Sequence, residues 1–167
     1  IINPTENNIR KSEFKISGDS INVEGKVNFN DDLSDIAYLK MEKVVFGKND
    51  LGIEYKKLSE NKYRIDIIGK SADLRPIVKH YRGLNDENAK TGQQINLSVE
   101  NAIMHNEQIL DELNLFFDCD TELCVVGDLR ASVGGSYLYG ELKPSEKSPN
   151  VRNFNLRSDN AGVVISI

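Results

Sequence analysis

Ile95-Asn96-Leu97-Ser98-Val99-Glu100 reads apolar, polar, apolar, polar, apolar, acidic. An alternation of period two sends successive side chains to opposite faces of a pleated strand, so this stretch predicts a strand with one face dry and the other wet. The pattern repeats outward in both directions. Towards the C-terminus, Leu113, Leu115 and Phe117 alternate with Asn114, Phe116 and Asp118. Leu123, Val125, Gly127, Leu129 and Ala131 then alternate with Cys124, Val126, Asp128 and Arg130. Asn106-Glu107 and Gly134-Gly135 supply turns, the second leading into a strand over Ser136 to Leu142. Lys143 to Asn150 reads as a polar, proline-containing loop before a last strand at Val151 to Arg157. Towards the N-terminus, Ile21, Val23, Gly25, Val27 and Phe29 share one face and Asn22, Glu24, Lys26 and Asn28 the other. Residues 36 to 46 are rich in β-branched and aromatic types. Leu51, Ile53 and Tyr55 form a hairpin with the strand Tyr63 to Ile68 through the turn Ser59-Glu-Asn-Lys62.

Two stretches break the alternation. Ser71 to Arg82 places Leu74, Ile77, Val78 and Tyr81 at helical spacing behind a Ser71 or Asp73 cap, with Pro76 tolerated in the first turn. Ser158-Asp159-Asn160 reads as the cap of a second helix opening at Ala161. Between the strand-rich halves, residues 83–93 are a polar loop. The organisation is therefore a β-hairpin segment over 1–82 ending in a short helix, that loop, and an antiparallel meander over 94–167 ending at a helix start. The expected fold is mainly β: a curled antiparallel sheet, an open groove or taco-like half-pipe, with one or two short helices. A sheet that is dry on one side, with no long amphipathic helix to cover it, must close, stack on a second sheet, curl round its apolar face or bind something.

Composition bounds the function. The 167 residues are about one domain, 39% hydrophobic and 28% charged, a mix that sustains a core or an apolar lining. A net charge of -5, with 21 basic residues scattered rather than striped, disfavours a phosphate-backbone partner. No run of 18 apolar residues is present to span a bilayer as a helix. The start at Ile1-Ile2 and the end inside the apolar run Ala161 to Ile167 give the expectation of one domain cut from a larger protein, any anchor or export signal lying outside it.

Chemistry-bearing patterns are few. Catalysis needs a nucleophile with a base, a carboxylate pair or a cofactor loop, and no such motif occurs, so the chain is not expected to be an enzyme and no cofactor is expected. Asp118 and Asp120 flank a predicted turn and read as solvated hairpin acids, Asp31-Asp32 as a loop and His105 as a turn residue. Cys119 and Cys124 are the only cysteines. They are either a disulfide across a hairpin end or two free, half-buried thiols. A Cys-x4-Cys pair with the distant His80 and His105 does not make a tetrahedral zinc site, and no metal is expected.

Three stretches carry a resemblance. Tyr63-Arg-Ile-Asp-Ile-Ile-Gly-Lys-Ser-Ala-Asp-Leu-Arg-Pro-Ile-Val78 contains a strand, then Gly69-x-Ser71-x-Asp73-x-x-Pro76, then a short amphipathic helix. Leu129-Arg-Ala-Ser-Val-Gly-Gly-Ser-Tyr-Leu-Tyr-Gly-Glu-Leu142 is a closing hairpin. Phe154 to Val164 is a strand followed by Asp159-x-Ala161-Gly162. In this order, over roughly residues 20–167, they resemble the AsmA-like superfamily, in particular the YhdP- and TamB-related repeat and C-terminal regions of Gram-negative envelope proteins. The glycine pair that the family shows soon after the last helix is missing.

The resemblance implies a protein anchored in the inner membrane and extending through the periplasm. Its strands form an apolar groove along which phospholipid tails slide, serving lipid transport between the two membranes or upkeep of the outer one. Each CH₂ of an acyl tail exposed to water costs about 0.8 kcal/mol, so an unbroken apolar track lowers the barrier to crossing an aqueous gap. The lining would come from the alternating positions Val23, Val27, Ile95, Leu97, Leu113, Leu115, Phe117, Leu123, Val125 and Leu129. The implied partner is a phospholipid or another acyl-chain lipid. Membrane contact would be made by parts outside this chain, and nucleic acid plays no part. The motif residues shape the fold: Gly69 permits positive φ at a strand end and Asp73 and Asp159 cap helices. The competing expectation is a closed β-sandwich acting as a binding or adhesion module.

Overall fold

The computed structural model describes residues 3–4, 10–76, 91–104, 107–120, 124–160 and 162. They form one open sheet whose strands lie side by side in chain order. The strands are β1 (Asn3–Pro4), β2 (Arg10–Gly18), β3 (Ile21–Phe29), β4 (Ile36–Phe46), β5 (Asn49–Ser59), β6 (Lys62–Asp73), β7 (Gly92–Ile103), β8 (Ile109–Cys119), β9 (Cys124–Val133), β10 (Ser136–Ser145) and β11 (Ser148–Ser158). The described residues make this single layer, whereas a closed sandwich needs two stacked sheets.

Tight turns follow from local chemistry. Gly134 and Gly135 have φ of +55° and +81°. Positive φ at both central residues is the hairpin turn that matches strand twist, and glycine adopts it without steric cost. Gly47, at φ +58°, turns β4 into β5.

Three features depart from the sequence reading. First, the sheet is not antiparallel throughout: β6 and β7 run parallel, from Lys62 opposite Gly92 to Asp73 opposite Ile103. Parallel neighbours need a crossover of a dozen or more residues, and the stretch between Asp73 and Gly92 serves as one. The polar stretch 83–93 is thus no break in the sheet, and its last two residues already belong to β7.

Second, residues 143–150 are not a loop. β10 continues to Ser145 and β11 begins at Ser148, with a turn at Glu146-Lys147. Proline removes a ladder donor, which is tolerated where a strand lacks a partner on one side. The pairing of β10 with β9 stops at Leu142, so Pro144 pairs only with β11, next to a register shift.

Third, the expected caps are partly reassigned. β6 runs on through Ser71 to Asp73, whose Oδ1 accepts from the Arg75 amide at 3.2 Å. Asp73 is the cap, and Arg75-Pro76 have helical backbone; the rest of that expected helix lies outside the described residues. At the second junction Asn160, not Asp159, caps: its Oδ1 accepts from the Gly162 amide at 3.0 Å.

The buried cluster sits on one face, at the ends of β6 to β10: Ala72, Leu97, Val99, Ala102, Leu110, Leu113, Ala131 and Leu138. Leu113 is 2% exposed and Ala102 0%. A flat single layer exposes both faces, so such burial requires the sheet to bend towards this face or be covered. Leu74 and Met104, just beyond β6 and β7, pack against the cluster and supply cover at that end.

A line of irregularities crosses the same sheet. Met41 pairs with Ile53 and Val44 with Leu51, leaving Glu42 and Lys43 against Gly52. Lys70 is skipped between Gly69 and Ser71, and Glu112 sits at a register shift with φ +53°. Inward residues are therefore three apart here, not two: Met41 to Val44, Gly69 to Ala72, Val99 to Ala102, Leu110 to Leu113. Bulges bend a sheet and raise its twist, which suits a line along which it curves.

Candidate functional site

The register aligns the apolar alternation of every strand into rows that run across the sheet. One row is Phe14, Gly25, Met41, Ile53, Ile67, Leu97, Leu115, Leu129, Gly140 and Leu156, each directly opposite the next from β2 to β11. A second, from β3 to β11, is Val27, Leu39, Tyr55, Ile65, Ile95, Phe117, Gly127, Leu142 and Phe154. A third joins Ile16, Val23, Val44, Leu51, Gly69, Val99 and Leu113 from β2 to β8. Together they form a broad apolar stripe perpendicular to the strands. The other face is different in kind: Lys26, Lys40, Glu54, Asp66, Asn96, Phe116, Asp128, Glu141 and Asn155 make one of its rows.

Burial varies along the stripe. Leu97, Val99 and Leu113 are 5, 3 and 2% exposed in the middle, while Ile16, Phe154 and Leu156 are 52, 56 and 39% exposed towards its two ends. Ile95, Leu115, Phe117 and Leu129 are half-buried, so they keep surface that a ligand could cover. Aromatic rings lie over glycines on this face. A Cβ at Gly127 would fall 2.6 Å from the Phe117 ring, one at Gly25 3.0 Å from Phe14, and one at Gly140 3.2 Å from Phe154. Each glycine thus leaves a recess that a ring from the neighbouring strand fills, which keeps the surface level.

The candidate lining residues fare as follows. Val23, Val27, Ile95, Leu97, Leu113, Leu115, Phe117 and Leu129 all lie on the stripe, in the rows above. Val27 is 9% exposed and, with Leu97 and Leu113, belongs to the enclosed set rather than to free surface. Val125 is displaced from the alternation: Cys119 pairs with Cys124 and Asp118 with Val126, so Val125 is the extra residue of a bulge. Leu123 lies outside the described residues. The candidate lining left out Met41, Ile53, Ile65, Ile67 and Leu142, whose place on the stripe rests on register rather than on any motif.

Cys119 and Cys124 are joined by a disulfide across the end of the β8–β9 hairpin. They share the apolar face with Phe117, so Cys124 does not lie on the wet side as simple alternation placed it.

The motif residues hold chain connections together. Ser71 donates to the Lys48 carbonyl at 2.8 Å, and Asn49 Oδ1 accepts from the Asp73 amide at 2.8 Å. Asp73 accepts from Arg75 Nε at 2.8 Å, Arg75 also pairs with Glu107, and Glu107 with Lys48 at 2.7 Å. This chain of charges ties the β4–β5 turn, the end of β6 and the β7–β8 connection. The Arg75 guanidinium holds the Asp73 carboxyl below its ordinary range, and the Lys48 ammonium does so for Glu107. Gly69 does not have positive φ; a Cβ there would meet the Asp50 carbonyl oxygen at 2.4 Å, so close approach explains it. Asp159 is exposed, Pro76 lies in the first helical turn, and Gly162 donates to Asn160; Ala161 lies outside the described residues.

The carboxylates singled out for chemistry are engaged elsewhere. Asp118 accepts from Lys62 at 2.6 Å and Gln94 at 2.9 Å on the wet face, and the Lys62 ammonium keeps it below the usual carboxylate range. Asp32 accepts from both the amide and the hydroxyl of Ser34, which lowers it and closes the turn between β3 and β4. Among the described residues no group of three or more histidine, cysteine, aspartate or glutamate side chains is placed to hold a metal ion. His80 and His105 lie outside the described residues. No helix among them is long and apolar enough to cross a membrane.

Comparison with protein-family models, with curated proteins and with solved structures finds no match for this chain.

Proposed function

We propose that this chain is a segment of an AsmA-like envelope protein that takes part in phospholipid transport between the inner and outer membranes, or in maintenance of the outer membrane. The observation that carries the reading is the first apolar row, unbroken through ten successive strands of an open sheet. An acyl tail laid along such a stripe stays out of water at every step, while its head group remains in solvent. With strands about 4.8 Å apart, ten of them span on the order of 40 Å, more than the length of one tail.

Two further observations support it. The lining is mostly Ile, Leu, Met, Val and Phe, with Tyr55 the hydroxyl-bearing member of its rows, a composition that suits a conduit rather than an enzyme. The Cys119–Cys124 disulfide suits an oxidising compartment such as the periplasm. On this reading Leu115, Phe117, Ile95 and Leu129 touch lipid, while Leu97 and Leu113 form the floor beneath.

The test is site-specific photocrosslinking in Gram-negative cells. A photoreactive side chain at Leu115 is expected to yield a phospholipid adduct, while the same group at Asn114, the adjacent residue on the wet face, yields none. No lipid adduct at Leu115 or Leu129, or equal labelling at Asn114, removes the proposal.

A further inference from the structure

The apolar face differs at its two long edges. Beyond the second row lies a polar one: Lys57, Tyr63 and Gln93 are direct partners on β5, β6 and β7, and Gln93 stands opposite Cys119 of the disulfide. Each is two positions from a member of the second row (Tyr55, Ile65 and Ile95), so all three share the apolar face. Arg152, two before Phe154, prolongs this edge on β11, and its Nε donates to the Cys124 carbonyl at 3.0 Å. The edge beyond the third row is apolar instead. Ala72, Ala102 and Leu110 are partners there, with Leu74 and Met104 packed against their cluster.

The polar edge is built of hydrogen-bond donors. The Tyr63 hydroxyl donates to Gln93 Oε1 at 2.9 Å, which engages the acceptor end of that amide; its other end, the NH2, only donates. The Lys57 ammonium pairs with Asp35 at 2.5 Å and, having three hydrogens, has more to give. Asp35 offsets the charge, so the edge offers donors rather than a strong positive field. The Tyr55 and Tyr63 rings lie 5.6 Å apart at the boundary between the apolar row and this edge, a place that suits a ring with a polar tip.

We propose that the Lys57–Tyr63–Gln93 edge holds the phosphate of a lipid head group while the acyl tails lie along the first two rows. This sidedness rests on the lipid-conduit reading and deepens it. Ionised phosphate oxygens accept hydrogen bonds, which matches Gln93 Nε2 and Lys57 Nζ. The edge lies about 7 Å from the second row, two residues of a strand, within the span of a glycerol backbone. Tails reaching in from here meet the half-buried Ile95, Leu115 and Phe117. At the opposite edge the residues next in line, Val99, Ala102, Leu110 and Leu113, are 3, 0, 2 and 2% exposed, so tails anchored there find no surface left to cover. The Lys48–Glu107–Arg75–Asp73 chain lies beyond that enclosed cluster and is cut off from the free rows by it. Gln93 and Lys57 touch the head group; Tyr63 is a positioning residue that fixes the Gln93 amide.

Two photoreactive phospholipids test it. One carries a diazirine at the end of an acyl tail, the other a diazirine on the head-group nitrogen of phosphatidylethanolamine. After irradiation with the protein, the tail probe is expected to mark Ile95 and Leu115, and the head probe Tyr63 and Gln93 but not Leu74 or Met104. Gln93→Leu is expected to lower head-probe labelling at the edge about fivefold, the worth of one hydrogen bond, with tail-probe labelling unchanged. Tyr63→Phe is expected to shift the same head-to-tail ratio in the same direction, by less. Excess inorganic phosphate is expected to leave the labelling intact; displacement by it would put a free anion at this edge and overturn the proposal. Tail adducts on the stripe with head adducts at Leu74 or Met104, or spread equally over both edges, overturn the sidedness and leave the conduit reading standing. No tail adduct on the stripe removes both. Should either variant fail to fold, the labelling pattern of the parent still decides.

Discussion

Glycine on the apolar face has two different jobs. Gly127 and Gly140 accept a phenylalanine ring from the neighbouring strand, Gly69 makes room for backbone, and Gly25 does both, its Cβ falling 2.4 Å from the Lys40 carbonyl oxygen and 3.0 Å from the Phe14 ring. Gly25 and Gly127 stood in the apolar alternation and Gly69 at a strand end; their purpose was not legible, because it depends on what the register brings opposite. The expectation of positive φ at Gly69 failed for that reason. Its Cβ would lie 2.4 Å from the Asp50 oxygen and 2.5 Å from the Leu51 Cα, neither of which can swing aside as a side chain can. Gly69→Ala is therefore expected to destabilise the fold by about 2–3 kcal/mol, the upper range for overpacking, read as a lower urea midpoint with unchanged slope. A parent-like midpoint would show that the β5–β6 contact is looser than described. At the second junction the cap is Asn160, whose Oδ1 accepts from the Gly162 amide two residues on, within the reach of an Asx side chain at a helix start.

At the level of elements, the hairpins were readable because turn chemistry is local: Gly134-Gly135 and Ser59 to Lys62 needed no knowledge of distant residues. The strand ends around residues 143–150 were not, because two prolines and several polar residues look like a loop unless one knows that β10 has lost its β9 neighbour there. The bulge at Val125 was hidden likewise, since alternation predicts face only while register holds. The disulfide lies at that bulge and closes the β8–β9 connection. Cross-links stabilise chiefly by restricting the unfolded chain, less for short loops, so Cys119→Ser is expected to lower stability under oxidising conditions by about 2 kcal/mol. Under strong reductant the parent and the variant should then unfold at nearly the same urea concentration. Equal stability in both conditions would mean that the bond restrains nothing.

Across the whole molecule, carboxylates are held by nearby donors, some within a single turn or strand and some across connections. Asp32, Asp35, Asp73, Glu107, Asp118 and Glu141 all have carboxyls lowered by hydrogen-bonding partners, chiefly the hydroxyl of Ser34, Lys57, Arg75, Lys48, Lys62 and Lys143 in turn. A depressed native pKa contributes stability above the unfolded value near 4, and that contribution is lost as pH falls through the native value. Thermal unfolding is thus expected to be flat in this respect from about pH 7 to 5 and to drop steeply below about pH 4, and Arg75→Gln should make the drop shallower. An acid limb unaltered in that variant would exclude the Asp73–Arg75–Glu107 chain as a contributor. The one large feature that sequence could not disclose is the parallel seam, because nothing local distinguishes a strand that pairs with its predecessor's twin direction from one that reverses.

That seam divides the folding problem. β2 to β6 and β7 to β11 are each a run of sequence neighbours joined by short connections, so either half can zip up one hairpin at a time with little loop entropy at each step. Joining β6 to β7 requires the ends of the long intervening segment to be fixed before any inter-strand bond repays it, which makes this the natural last and slowest act of assembly. A nascent chain would hold two half-sheets, each with a raw inner border, until the crossover settles, and during that interval it would be most exposed to pairing with the wrong partner.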